Sequence, residues 1–176
     1  MVVVGIVGIL AVLSVYSVRK YVASAKTAEA QNSLGQIAKD AVTAFERDSM
    51  SGATLALRAS AGASRKLCGS VSASVPTTSA SIAGKKYQSK NTDWTVDQAT
   101  NAGFYCLKFS MDAPQYYMYS YTLTGAGTTA GDSFTATAQG DLNGDGVLSL
   151  FQLSGTIAAS MVVNTAPNML VVRPEE

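Results

Sequence analysis

The chain has 176 residues, a net charge of +1 and only 14% charged residues, and histidine is absent. That balance gives no bulk electrostatic reason to bind nucleic acid or acidic lipid, and the basic pairs Arg65-Lys66 and Lys85-Lys86 are no more than an ordinary solvated surface. Without histidine the chain lacks the commonest acid–base residue and metal ligand, and it carries no nucleophile elbow, zinc-protease, phosphate-loop or dinucleotide motif. The pair Asp93 and Asp97 reads as exposed acids near a turn rather than the flanks of a catalytic site. No catalytic residues are expected and no cofactor is required.

From Met1 to Val18 no residue carries a charge. About 17–25 apolar residues suffice to cross a bilayer as a helix. A cleavable secretory signal has basic residues ahead of its apolar run and a small-residue cleavage site behind it. Here Arg19-Lys20 follow the run and a helical composition continues, so residues 1–18 read as a retained part of the working protein. Residues 19–48 are rich in Ala, Lys, Glu and Gln. Leu34, Ile37, Ala38, Ala41, Val42 and Phe45 recur at spacings of three and four, which puts them on one stripe. A single helix over Met1–Asp48, ending at Ser49-Met50-Ser51-Gly52, would be roughly 70 Å long. It is apolar all round in its first half and amphipathic in its second.

Residues 49–83 are rich in Ser, Ala, Gly and Thr and read as a connecting loop, with a short helix around Ala53–Ser60. Residues 84–176 read as a β-sheet head. Strands are expected at Lys86–Ser89, Gly103–Ser110, Tyr116–Thr124, Ser133–Gln139, Val147–Ser154 and Met161–Val163, with Leu170–Val172 a further segment. Turn chemistry separates them at Asp112-Ala113-Pro114, Gly125–Asp132, Asn143-Gly144-Asp145-Gly146 and Ala166-Pro167-Asn168. Short spacings imply hairpins and an antiparallel sheet. The fold class is therefore α+β, a long N-terminal helix packed on an antiparallel β-sheet head.

Cys68 and Cys106 are the only cysteines. In an exported chain two such residues read as one disulfide, the alternative being two buried thiols. Alternation in a strand over Gly103–Ser110 would place Tyr105, Leu107 and Phe109 against the helix and turn Cys106 towards the loop carrying Cys68. Closing that loop stabilises by roughly 3–4 kcal/mol in the chain-entropy model.

Asp141-Leu142-Asn143-Gly144-Asp145-Gly146 satisfies D-x-N-x-D-G, the oxygen spacing of calcium loops. Asp141, Asn143, Asp145, Val147 (through its carbonyl) and Ser149 are the candidate calcium ligands. The twelfth position is Gln152 rather than a bidentate glutamate, and the flanks read as strands. A hairpin turn that uses Asn, Asp and Gly for positive φ is the other reading. Tyr16, Tyr21 and Phe45 are too sparse for a continuous aromatic path along the helix, and Tyr116, Tyr117, Tyr119 and Tyr121 read as packing on the two faces of a strand.

Met1-Val2-Val3-Val4-Gly5-Ile6-Val7-Gly8-Ile9-Leu10-Ala11, followed by Tyr21-Val22-Ala23-Ser24-Ala25-Lys26-Thr27-Ala28-Glu29-Ala30, resembles the opening of type IV pilins and pseudopilins. Leu107-Lys108-Phe109-Ser110-Met111, Pro114–Tyr121 and Phe134–Gly146 are similar to stretches in heads of deltaproteobacterial type. The match begins at Met1, so the family's preceding F-T-L-I-E-L is absent, and its glutamate, which pairs with a neighbour's N-terminal amine, falls on no residue here. This start implies a sequence lacking the family's first residues; a basic leader ending in glycine ahead of them would favour the pilin reading. Where the family often has proline this chain has Tyr16, leaving Gly8, Ser14, Val12, Val15 and Val18 as milder helix-weakening residues.

The resemblance implies a structural subunit of a type IV pilus or pilus-like filament. Its polymerisation core would include Met1, Val4, Gly8, Ile9, Leu10, Val12 and Leu13. It further implies an inner-membrane precursor, then a pilus on the cell surface (the periplasm for a pseudopilin), with a prepilin peptidase, an assembly ATPase complex and a secretin as partners. The alternative is a permanently membrane-anchored extracytoplasmic binding module, with calcium at the Asp141–Ser149 turn as its possible ligand.

Overall fold

The computed structural model describes residues 2–47 and 65–176. One helix, α1, runs from Val2 to Glu46, 45 residues without a break. It is followed by two short helices, α2 (Asn91–Trp94) and α3 (Gly103–Leu107), and by five strands among the described residues: β1 (Tyr117–Thr124), β2 (Ser133–Gly140), β3 (Ser149–Ile157), β4 (Val163–Thr165) and β5 (Leu170–Val172). The chain is α+β, as its patterning implies. The expected helix stop at Ser49–Gly52 and the short helix at Ala53–Ser60 lie outside the described residues.

The sheet is an antiparallel meander, β1-β2-β3, whose far side is completed by β4 and β5, both paired to β3. Cross-strand partners explain where the helix can sit. Tyr119 faces Ala138 and Tyr121 faces Ala136 across the β1–β2 ladder. The buried face is therefore bulky on β1 and shallow on β2. α1 lies closest to β2 and β3, over the small side chains. Its docked stripe is Ala30, Leu34, Ile37, Ala38, Ala41, Ala44 and Phe45, all buried. The alanines let the backbones approach, and burying Leu34, Ile37 and Phe45 stabilises by about 1.5–3 kcal/mol each. Val42, expected in the stripe, is only partly buried at its margin.

Two glycines make room for aromatic rings. Gly155 pairs with Phe134 and Gly140 with Tyr117. A Cβ on Gly155 would collide with the Phe134 ring, and one on Gly140 would stand 2.5 Å from Tyr117.

Several expectations change, among them the strand over Met161–Val163, which lies instead at Val163–Thr165 as β4. Gly103–Ser110 does not form a strand: Gly103–Leu107 is α3. Gly103 takes φ +55°, Lys108 takes φ 62°, and the Phe109 N–H returns to the Phe104 carbonyl. These left-handed positions bracket a single helical turn. It buries Phe104 and Leu107 at helical spacing, beneath Trp94, and leaves Tyr105 exposed. The period-two reading of Tyr105, Leu107 and Phe109 fails for that reason. Lys86–Ser89 is likewise no strand; Tyr87 makes one isolated bridge to Gln115. Trp94, on the unforeseen α2, anchors this corner by edge-on contacts with Phe104 and Phe109 at 5.0 and 5.3 Å. Its indole N–H donates to Ser89 Oγ at 3.0 Å.

Residues 65–83, read as connecting loop, are part of the head. Val71 N–H donates to the Tyr121 carbonyl, Val75 exchanges both backbone bonds with Tyr119, and Ser70 Oγ accepts from Leu123 N–H, so this segment lines the outer edge of β1.

Gly155→Ala should destabilise the folded chain by about 1–3 kcal/mol, because Phe134 must leave its rotamer to clear the new methyl group. Gly131→Ala, with nothing within 4 Å of the added Cβ, serves as the strained-backbone control for comparison by thermal melting.

Candidate functional site

Among the described residues, every position of α1 from Val2 to Val18 is exposed. Val2, Val4, Ile9, Leu10, Val12 and Leu13 are 57–77% exposed, and Gly8 has open space around it. Met1 lies outside the described residues. Side chains all round the helix are apolar, so no rotation could bury them against a single sheet face. The hydroxyl of Ser17 is folded back on the Leu13 carbonyl at 2.9 Å, which removes one of the few polar groups from this surface. Tyr16 stands exposed and the helix passes it unbroken. The helix is long and apolar enough to cross a membrane, and its most apolar stretch is wholly unburied.

Where this stalk meets the head, ionic and aromatic contacts replace apolar exposure. Lys20 Nζ lies 3.5 Å from Glu175, an exposed pair that contributes little. Lys26 and Lys86 place their ammonium groups 4.6 and 4.9 Å from the centre of the Tyr116 ring. Tyr117, Tyr119 and Tyr121 are buried on one face of β1, and Tyr116, just before the strand, is half-buried against the same core, so the four tyrosines do not divide between two faces of the strand. Burial pushes the three inward phenols well above their ordinary range, the nearby Glu29 charge adding to it for Tyr117 and Tyr119. Glu29 belongs to the Tyr21–Ala30 stretch that carries the resemblance, which assigns it no contact. Its Oε1 accepts hydrogen bonds from the Tyr116 backbone N–H at 2.9 Å and the Tyr119 hydroxyl at 3.2 Å. Beyond that stretch, its sequence signal is a charged residue on the edge of the apolar stripe, one position before Ala30.

Cys68 and Cys106 form a disulfide, with Cα atoms 5.8 Å apart across a separation of 38 residues. The bond is the expected one, but it is presented by α3 and not by a strand. Asp93 and Asp97 are used structurally: Asp93 Oδ2 accepts from Lys90 N–H and the Tyr87 hydroxyl, and Asp97 Oδ2 from Ser72 N–H.

The calcium-like turn joins β2 to β3. Asp141 is buried, and its two carboxylate oxygens accept from Gly144 N–H at 2.6 Å and Gly146 N–H at 3.1 Å. Asn143 Oδ1 accepts from Asp145 N–H, and Asp145 Oδ1 from Val147 N–H. Gly144 and Gly146 have φ of 80° and 87°, which is why glycine recurs here. Ser149 is fully buried at the start of β3, its hydroxyl donated to the Gly140 carbonyl at 3.0 Å, so it serves the hairpin. Asp141, Asn143, Asp145 and Val147 share the turn, and the side-chain oxygens of the first three already hold backbone amides.

Comparisons of the chain with protein-family models, curated proteins and solved structures found no match. The architecture, a long apolar helix continuing into a docked amphipathic half over a disulfide-bonded antiparallel head, is pilin-like in topology.

Asp141→Ala should cost about 1–3 kcal/mol, because it leaves two amides of the turn without their acceptor, whereas Asp145→Ala should cost less. Melting of the full chain with millimolar calcium and with chelator should coincide if these hydrogen bonds alone hold the turn. A bound calcium ion would separate the two curves, and Asp145→Ala would close the gap.

Proposed function

We propose that this chain is a structural subunit that polymerises through α1 into a pilus-like filament. The observation that carries the reading is the division of one continuous helix: residues 30–45 are committed to the head, while the surface from Val2 to Val18 is left wholly unpartnered. An apolar helix of this kind is satisfied equally by lipid tails or by copies of itself. Exchanging one environment for the other costs little, because both are as apolar as the helix. A chain of this design would wait in a membrane and then enter a bundle. Contacts that repeat head to tail without closing generate a helical filament.

Under this reading the subunit has no catalytic role. Its precursor sits in the bacterial inner membrane, is processed by a prepilin peptidase, and is assembled by an ATPase complex with a secretin as the exit. It then stands at the cell surface, or in the periplasm for a secretion-type filament. Polymerisation would run through Met1, Val4, Gly8, Ile9, Leu10, Val12 and Leu13. Gly5 and Gly8 would admit the closest approach of a neighbouring helix, since nothing of the chain's own fills the space beside them.

Ile9→Asp tests this. Ile9 is 65% exposed and remote from the sheet, so the head should fold and keep its disulfide. A carboxylate at the centre of an apolar bundle costs about 2.5–3.5 kcal/mol per helix on insertion scales, repeated in every subunit. Filaments seen by electron microscopy for the parent should be absent for the variant, while Thr43→Asp on the exposed face of the docked half should assemble normally. Normal filaments from Ile9→Asp would mean that this helix is a tether and not the filament core.

A further inference from the structure

The chain contains one Asn-Gly pair, Asn143-Gly144, and one Asp-Gly pair, Asp145-Gly146. Both lie in the turn between β2 and β3. Such pairs are the ones most prone to ring closure, because a glycine nitrogen has no side chain beside it to hinder attack on the carbonyl carbon of the preceding side chain. The other asparagines precede Ser33, Thr92, Ala102, Thr165 and Met169, which all carry that hindrance. Residues 143–146 are exposed, so water reaches both pairs.

A single buried carboxylate covers both nucleophilic nitrogens. Asp141 Oδ1 accepts from the Gly144 N–H at 2.6 Å, and Asp141 Oδ2 accepts from the Gly146 N–H at 3.1 Å. Ring closure requires each nitrogen to lose its proton and to turn its lone pair on the side chain before it. Removing the Gly144 proton in place would leave a second negative charge in contact with the carboxylate, which like-charge repulsion opposes. The groups under attack are held as well. Asn143 Oδ1 accepts from the Asp145 N–H at 2.9 Å, while Nδ2 donates to Glu176 Oε2 at 2.6 Å and to Asp145 Oδ2 at 3.2 Å. Asp145 Oδ1 is occupied in the same way by the Val147 N–H at 2.8 Å. The two labile pairs therefore repeat one arrangement, and Asp141 is the group they share.

We propose that Asn143 is a latent site of spontaneous deamidation, kept unreactive by Asp141 while the turn is closed and modified when the turn opens. In the open turn the Gly144 nitrogen bonds to Asn143 Cγ, the Cγ–Nδ2 bond breaks, and ammonia leaves with the proton that the nitrogen gives up. Water then opens the cyclic imide. Cleavage at Cγ gives aspartate in a normal backbone, and cleavage at the backbone carbonyl gives isoaspartate, whose main chain runs through the side chain. Water is the one co-reactant, and nothing is oxidised or reduced. The site matters because of what Asn143 fastens. With Val22, Lys26 and Glu175 it lines a groove between α1 and the C-terminal tail. A carboxylate at position 143 could no longer donate to Glu176 or Asp145, and it would add a like charge beside both. The tail would then be repelled where it is now held. Because the reaction does not reverse, time spent with the turn open leaves a permanent mark at the base of the stalk, whether or not the chain polymerises.

The test ages the full chain in detergent micelles in mildly alkaline buffer. Conversion at Asn143 is followed by mass spectrometry of its peptide, with fragmentation that separates aspartate from isoaspartate. The same chain in denaturant supplies the unguarded rate. The folded parent should convert at least about tenfold more slowly than the unfolded chain, because reaction waits on local opening. Asp141→Ala should raise the folded rate by roughly tenfold. Asp145→Ala leaves the Gly144 bond to Asp141 in place and should stay near the parent rate. An intact disulfide and an unchanged far-UV circular dichroism spectrum identify the folded variants. Equal rates for folded and unfolded parent would overturn the proposal, and so would a folded Asp141→Ala that converts no faster than the parent. An Asp145→Ala rate as high as that of Asp141→Ala would overturn it too, since general loosening of the turn would then suffice. The first of these comparisons needs no variant to fold.

Discussion

The structure depends on one contact, the seating of the second half of α1 on the shallow middle of the sheet. A 45-residue helix cannot be stabilised by its ends, and most helical stability in proteins comes from a packed face. Here that face is built from alanines where the backbones meet and from Leu34, Ile37 and Phe45 where there is depth to fill. The sheet answers with alanines on β2 and aromatic rings on β1 and β3. The first half of the helix inherits its direction from this seat. Among the described residues, the contact at its base is the exposed Lys20–Glu175 pair, which contributes little to holding it there.

The rest of the head protects that seat. Trp94, Phe104, Phe109 and Tyr119 form one aromatic cluster at its flank, and the disulfide ties α3 to the segment that follows the helix in sequence. Arg47, just beyond α1, reaches the Cys106 carbonyl at 3.4 Å, so the helix end and the disulfide corner are joined directly. Asp141 does the same work at the other side of the sheet, where its buried carboxylate organises the turn from within.

What the sequence made legible was periodic. The stripe from Leu34 to Phe45 and the strands β1, β2, β3 and β5 follow from spacing and from turn residues, and the expected strand over Leu170–Val172 is β5 itself. The start of β3 was read two residues early, because Val147 belongs to the turn held by Asp145. Residues 103–110 misled because Tyr105, Leu107 and Phe109 alternate like a strand, while the deciding features are the positive φ of Gly103 and Lys108, which no periodicity records. Pairing of Cys68 with Cys106 was legible from number and context, although the local geometry offered for it was wrong. Glu29 was invisible for a different reason: its role exists only once Tyr116 and Tyr119, nearly ninety positions away in sequence, are folded against it.

The segment along the outer edge of β1 has a consequence for how copies of this head can associate. With Val71 and Val75 bonded to that edge, one border of the sheet is already occupied. The opposite border is made of β4 and β5, each only three residues long. An incoming strand would find either a filled ladder or a template too short to fix its register. Short or covered edges are a common guard against runaway strand addition. Heads brought together at high local density would therefore meet through side chains and stay individually folded, without passing into a cross-β aggregate.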